Sequence, residues 1–210
     1  MTLLDRAKVS KAPLVVLTIL LLTSCGSKDH IATGKEMLEN KQYAQALEQF
    51  NQAIKDNPSD YYAYFGQGYA YANTGHPDYA VSSANQALQL NPNFAGSYFV
   101  RGQAEADLQQ PQQAVADLSK AIELEPNKAK YVAMRSLIYA SAGAQQPALA
   151  DAQRALAIDP KSIAAIVAQA LVYQSQGQRQ QALDEIQKAA AIEPNNGTVQ
   201  KIQQMINQPQ

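Results

Sequence analysis

Apolar residues fall into two regimes along this chain. From Ala12 to Leu22 they run almost unbroken, through Leu14, Val15, Val16 and Leu17 to Leu20, Leu21 and Leu22. That run of about eleven residues is too short to cross a bilayer as a helix, which takes roughly 20. Arg6, Lys8 and Lys11 precede it, with Asp5 the one acid among them. A basic start followed by a short apolar core predicts a secretory signal peptide over residues 1–24. Beyond it the apolar positions recur at helical spacing, as in Ala182, Leu183, Ile186, Ala189 and Ala190. No alternating, strand-like segment competes, so the pattern predicts an all-α chain of short helices.

The helical pattern is itself periodic. Pro58, Pro92, Pro126, Pro160 and Pro194 stand 34 residues apart, each behind Asn or an acid. Five residues before each Pro is an alanine (Ala53, Ala87, Ala121, Ala155, Ala189), and twelve before is another (Ala46, Ala80, Ala114, Ala148, Ala182). Twenty-four before lies a small residue: Gly34, Gly68, Gly102, Ser136 or Ala170. Proline stops a helix and disfavours helix in the residue before it, while small residues let helices approach. Gly75, Gly143 and Gly177 mark the turns inside the repeats, where a helix end calls for positive φ.

A 34-residue period with these positions resembles the tetratricopeptide repeat (TPR). The resemblance covers five repeats, 27–60, 61–94, 95–128, 129–162 and 163–196. It departs from the pattern at His30, where a large apolar residue belongs, and at Glu105, where the other repeats carry Met37, Tyr71, Tyr139 and Tyr173. It implies a right-handed superhelical solenoid of five helix pairs. Residues 197–210 read as a capping helix and tail, because a solenoid end needs a polar-faced cap. Its helix is predicted over 198–207, with Val199, Ile202, Met205 and Ile206 on the inward face.

The resemblance also implies a concave groove lined by the first helix of each repeat. Carried onto this chain, the partner-binding positions are Tyr62, Phe65, Tyr69, Asn73, Phe99, Gln103, Lys130, Leu137, Val167 and Leu171. Tyr62, Phe65 and Tyr69 share one helical face, and exposed aromatic patches mark binding surfaces. The alternative is that these rings only pack between repeats. Tyr64, Tyr71, Tyr139 and Tyr173 are assigned to the core. The Lys and Asn residues with which chaperone-type TPRs clamp a terminal carboxylate are missing, since Phe65/Tyr69, Phe99/Gln103 and Ala133/Leu137 fill those slots. An apolar extended or helical peptide is the better ligand.

The stretch Leu22-Thr23-Ser24-Cys25-Gly26 resembles the bacterial lipobox, and Cys25 is the sole cysteine. The resemblance implies cleavage before Cys25, its acylation (palmitate among the chains), and anchoring to a membrane, since several acyl chains together hold stably. Without Asp at the second position, the sorting rule implies the outer membrane, facing the periplasm. A secreted protein with a chance cysteine, or a short uncleaved anchor, are the alternatives. Residues 25–26 would form a short tether, the first helix starting about four residues on, a reach of roughly 14 Å.

Charge and chemistry narrow the function. Loss of residues 1–24 leaves 14 basic and 17 acidic side chains, no match for nucleic acid. One Cys and two His exclude an internal disulfide framework and leave little for a metal site. No nucleophile elbow, phosphate loop or carboxylate dyad is visible, so the reading is a non-enzymatic scaffold for protein–protein interaction without cofactor or metal. His76-Pro77-Asp78 spells a J-domain tripeptide but falls on a turn with no basic helix before it. Asn196-Gly197-Thr198 matches a glycosylation sequon and reads more simply as the turn before the cap. The partner is a protein or peptide client. In plan the chain is similar to lipoproteins that assist pilus and secretin assembly. Recruitment of a peptidoglycan hydrolase or protease, or self-assembly into a homo-oligomer, are the alternatives.

Overall fold

The computed structural model describes residues 12–208, with side chains from residue 26 onward. Eleven helices follow one another among the described residues, with no strand. They are α1 (Ala12–Glu39), α2 (Tyr43–Asp56), α3 (Tyr61–Asn73), α4 (Pro77–Leu90), α5 (Ala95–Asp107), α6 (Pro111–Leu124), α7 (Ala129–Ser141), α8 (Gln145–Ile158), α9 (Ile163–Ser175), α10 (Arg179–Ile192) and α11 (Gly197–Asn207). The five antiparallel pairs α1/α2 to α9/α10 match the five predicted repeats, and α11 caps the last. Consecutive odd-numbered helices touch one another, whereas even-numbered ones meet only odd neighbours. The odd helices therefore form the inner layer of the superhelix.

Each recurring residue has a local task. The alanine five before Pro accepts the amide that closes the second helix, as in Asn57 N–H to Ala53 O and Asp159 N–H to Ala155 O, both 2.8 Å. The residue just before Pro then caps the turn with its side chain: Asn57 Oδ1 accepts from Ser59 N–H at 3.2 Å, and Asp159 Oδ1 from Lys161 N–H at 3.0 Å. The small residue of the first helix faces the backbone of its own partner helix. A Cβ on Gly102 would lie 3.1 Å from Ala114 O, and Ser136 at the same position donates to Ala148 O at 2.8 Å.

The turns between paired helices need a left-handed residue every 34 positions. Gly75, Gly143 and Gly177 supply it at φ 76°, 75° and 72°, but Lys41 and Gln109 stand there at φ 58° and 60°. A side chain in that conformation costs about 1–2 kcal/mol, partly offset by the stiffer unfolded chain. Gln109→Gly is therefore expected to stabilise the chain by about 0.5–1 kcal/mol, raising the melting temperature by about 2 °C in calorimetry.

A polar ladder runs through the central repeats, unseen in the sequence pattern. Gln67 reaches back to Asn51 and forward to Ser83, at 2.7 Å each. One repeat on, Arg101 bonds Asn85 and clamps Asp117 with two nitrogens; one further, Arg135 bonds Ser119 at 2.9 Å and clamps Asp151 at 2.7 and 2.9 Å. Every rung ties an inner helix to its own outer helix and to the one before it.

The two ends differ from expectation in detail. α1 runs continuously from Ala12 to Glu39, so Gly26 and Ser27 belong to a packed helix where a tether was expected. Ser27 is buried and its hydroxyl donates to Ala53 O at 3.4 Å. Residues 1–11 of the expected signal peptide, and the Cys25 side chain, lie outside the described residues. In α11, Val199 and Ile206 are buried while Met205 is 44% exposed. Helical geometry turns Met205 about 100° away from Ile206, so it leaves the inward face. Asn196 of the sequon caps α11, accepting from Thr198 and Val199 N–H, and His76-Pro77-Asp78 begins α4 with Pro77 at its first position.

Candidate functional site: the inner groove

The inner face of repeats two and three carries a continuous aromatic network. Tyr62 and Phe65 rings lie 5.2 Å apart and Phe65 and Tyr69 6.2 Å apart along α3, all three half-buried. Phe94, in the loop before α5, packs edge-on to Phe65 at 5.0 Å and contacts Tyr61 at 5.0 Å and Tyr62 at 6.0 Å. Gly96 makes room for it, since a Cβ there would come within 2.8 Å of the Phe94 ring. Phe94 was missed at the sequence level. The signal was its position, the last residue of its repeat, where the others carry Asp60, Lys128, Ser162 and Asn196.

Two expected groove residues are instead core. Phe99 is 2% exposed because Tyr131 of the next repeat stacks on it at 5.1 Å. Val167 is also 2% exposed, packed among Ile166, Ala170 and the cap residues. Both sit where neighbouring inner helices close upon each other. Asn73 faces its own helix and donates to Tyr69 O at 2.7 Å. Gln103, Leu137 and Leu171 are half-buried and Lys130 is exposed. Tyr64, Tyr71, Tyr139 and Tyr173, assigned to the core, are each half-buried. The Tyr139 ring is capped by the Arg135 guanidinium at 5.9 Å.

Lys130 is the groove's central cation. Its Nζ stands 4.6 Å from the ring centroids of both Tyr69 and Phe99 and donates to Tyr69 Oη at 2.9 Å. Repeats two and four are thereby joined across repeat three. Beyond Lys130 opens a cleft of about 570 Å³ between repeats four and five and the cap, floored by the half-buried Met134, Leu137, Ile163 and Ala164. Burial pushes the Tyr62 hydroxyl pKa up, with Glu39 adding to it, and burial pushes Tyr131 up to about 12, aided by Glu125. Both phenols are therefore neutral hydrogen-bonding groups near neutral pH.

The sequence departure at Glu105 has a physical consequence. Its Oε2 is buried without a hydrogen-bond partner, between Arg101 and Asp117. Burial, then the Asp117 charge, raise its pKa to about 7 from 4.5, against the opposing pull of Arg101. The folded state holds this proton more tightly than the unfolded chain, so stability falls as pH rises from about 4.5 to 7. Glu105→Gln is expected to add about 1–2 kcal/mol at pH 8, discounted for partial exposure, and almost nothing at pH 4.5. Urea melts at the two pH values check this; equal gains at both would contradict it.

Among the described residues no cluster of His, Cys, Asp and Glu could hold a metal ion, and no helix is long and apolar enough to cross a membrane. The sequence profile of the tetratricopeptide repeat family matches residues 31–96 and 99–163. No curated protein matches the chain in sequence. Among solved structures, a thermophilic TPR protein of Thermus thermophilus is similar at TM-score 0.74 and 24% identity, over 86% of this chain and 98% of that one. PilF of Pseudomonas aeruginosa gives 0.70 at 14% identity, over 88% and 84%. YrrB, described as a TPR protein with an unusual peptide-binding site, gives 0.59 at 22% identity, over 83% and 90%. At these identities the likeness is one of fold.

Proposed function

Because the chain belongs to the tetratricopeptide repeat family, whose members mediate protein–protein interactions, we propose that it is a non-enzymatic adaptor holding a client protein in its inner groove. The half-buried aromatic face of Tyr62, Phe65, Tyr69 and Phe94, set beside Lys130, carries this reading. Aromatic anchors with a polar rim are the usual makings of a peptide-binding surface. The lipobox-like stretch ending at Cys25 supports a lipid anchor in the bacterial envelope, at the periplasmic face of the outer membrane. With Ser27 already packed against α2, an acylated Cys25 would hold repeat one against the bilayer and leave repeats four and five projecting from it. The assembly of an envelope complex such as a pilus or secretin is the process that this plan suits.

Photo-crosslinking in intact envelopes, with the reactive residue at Tyr69, tests the proposal. One recurrent client is expected, and Phe65→Ala should weaken its binding by about 2 kcal/mol, roughly 30-fold. Adducts with the chain itself alone would replace the adaptor by a self-assembling structural protein. Unchanged membrane fractionation of Cys25→Ser would remove the lipid anchor from the proposal.

A further inference from the structure

The two ends of the array meet. A cleft of about 680 Å³ is walled on one side by residues 192–198 and Lys201 of the cap, and on the other by Lys41, in the turn of repeat one. In five repeats the superhelix thus brings its last loop round to its first turn. Glu193, Asn196 and Thr198 of that loop also border the cleft beside Lys130, so they stand between the groove and the gap at Lys41. Nothing cements the meeting. Among the described residues neither α1 nor α2 packs against α10 or α11, and Lys41 forms no ion pair. Across the gap it faces Glu193 and Lys201, whose charges offset each other.

The joint that lets the ends part lies halfway round the array, between repeats three and four. α5 and α7 touch more sparingly than any other two consecutive inner helices of the repeats. Near their N-terminal ends Tyr131 stacks on Phe99 at 5.1 Å, and Lys130 reaches past α5 to Tyr69. Toward their C-terminal ends apolar clefts of about 310 and 360 Å³ open beside Pro111, Ile138 and Ala142, which line both. Close-packed interfaces resist rocking, and open ones such as this allow it. On the outer side Arg135 ties α7 to Ser119 of α6 at 2.9 Å, a pivot about which α7 can tilt.

We propose that the array is a gated ring, closed over its groove where Lys41 meets the 193–198 loop and opened by rocking repeats four and five, with the cap, away from repeats one to three. Hinged closure of this kind needs only a few residues to absorb the motion. The bond from Lys130 to Tyr69 spans the joint on the groove side, so it holds the ring shut and breaks on opening. The gate belongs to the array itself and does not depend on what the groove holds.

Double electron–electron resonance on the full chain, with Cys25→Ser and spin labels on Lys41→Cys and Asn195→Cys, reads the gap directly. Labelled chain is diluted into unlabelled chain, so that only distances within one molecule count. A major population at the separation of the closed structure is expected, with a minor, longer one. Lys130→Met should raise the longer population about threefold, with helicity unchanged. A pair within one arm, Lys41→Cys with Gln109→Cys, should keep its distance in that variant. A long distance alone would mean that the ring does not close. A short distance alone, unmoved by Lys130→Met, would mean a fixed ring without a gate. Movement of the pair within one arm would replace the joint by general loosening of the array, and each of these three results overturns the inference.

Discussion

Gly66→Ala is expected to cost about 3 kcal/mol, the upper end of what overpacking a core costs. A Cβ at Gly66 would fall 2.2 Å from the Phe50 ring, and Phe50 is fully buried. The ring cannot retreat, because on its other side a Cβ at Gly34 would already come within 2.9 Å of it. Phe50 occupies a slot between the inner helices of repeats one and two, and the two glycines are the walls of that slot. Phe50→Ala alone should cost about 3–5 kcal/mol by leaving a cavity, but in that background Gly66→Ala should cost little. Urea melts of the two single variants and the double variant give the coupling. Additive losses would show that the ring does not pack against Gly66.

Arg135→Met should be nearly as damaging, at about 2–3 kcal/mol. The guanidinium is 17% exposed and its partner Asp151 11%, so removing the cation leaves a carboxylate with little access to water. Breaking a buried pair costs more than the pair itself is worth, because the remaining charge is stranded. The double variant Arg135→Met/Asp151→Leu is therefore expected within about 1 kcal/mol of the parent. Thermal unfolding of all three decides it. A double variant as unstable as the single one would mean that Arg135 contributes through its other contacts, Ser119 and the Tyr139 ring, and not through the ion pair.

The repeat frame was legible in the sequence because its signals are local and recur. The Pro, the alanines and the small residue each act within one helix pair, and the second helix of every pair ends two residues before its Pro. The groove was legible only in part. Tyr62, Phe65, Tyr69 and Lys130 follow from their place on an inner helix, but the burial of Phe99 depends on Tyr131, a residue of the next repeat. Phe94 escaped because loops carry no helical period. The ladder escaped for a similar reason: its partners lie 16 residues to either side and change identity from Gln and Ser to Arg and Asp. Chemistry that is conserved in geometry and varied in residue type leaves no periodic trace.

The apolar interior is divided. Phe50, Ala46 and Ala70 form one cluster, repeats two to four with Ala165 and Ala168 of α9 form another around Phe99 and Leu118, and the rest of repeat five with the cap forms a third around Ile186. The last two share only the half-buried Leu137 and Leu156 at their border. A solenoid whose repeats pack only on their neighbours can open locally, the stretch around one of these clusters ahead of another. A client lying along the groove would touch residues belonging to more than one of them. Its binding free energy would then fall due whenever any one of these stretches opened, and the occupied array would unfold more nearly as a single body than the empty one.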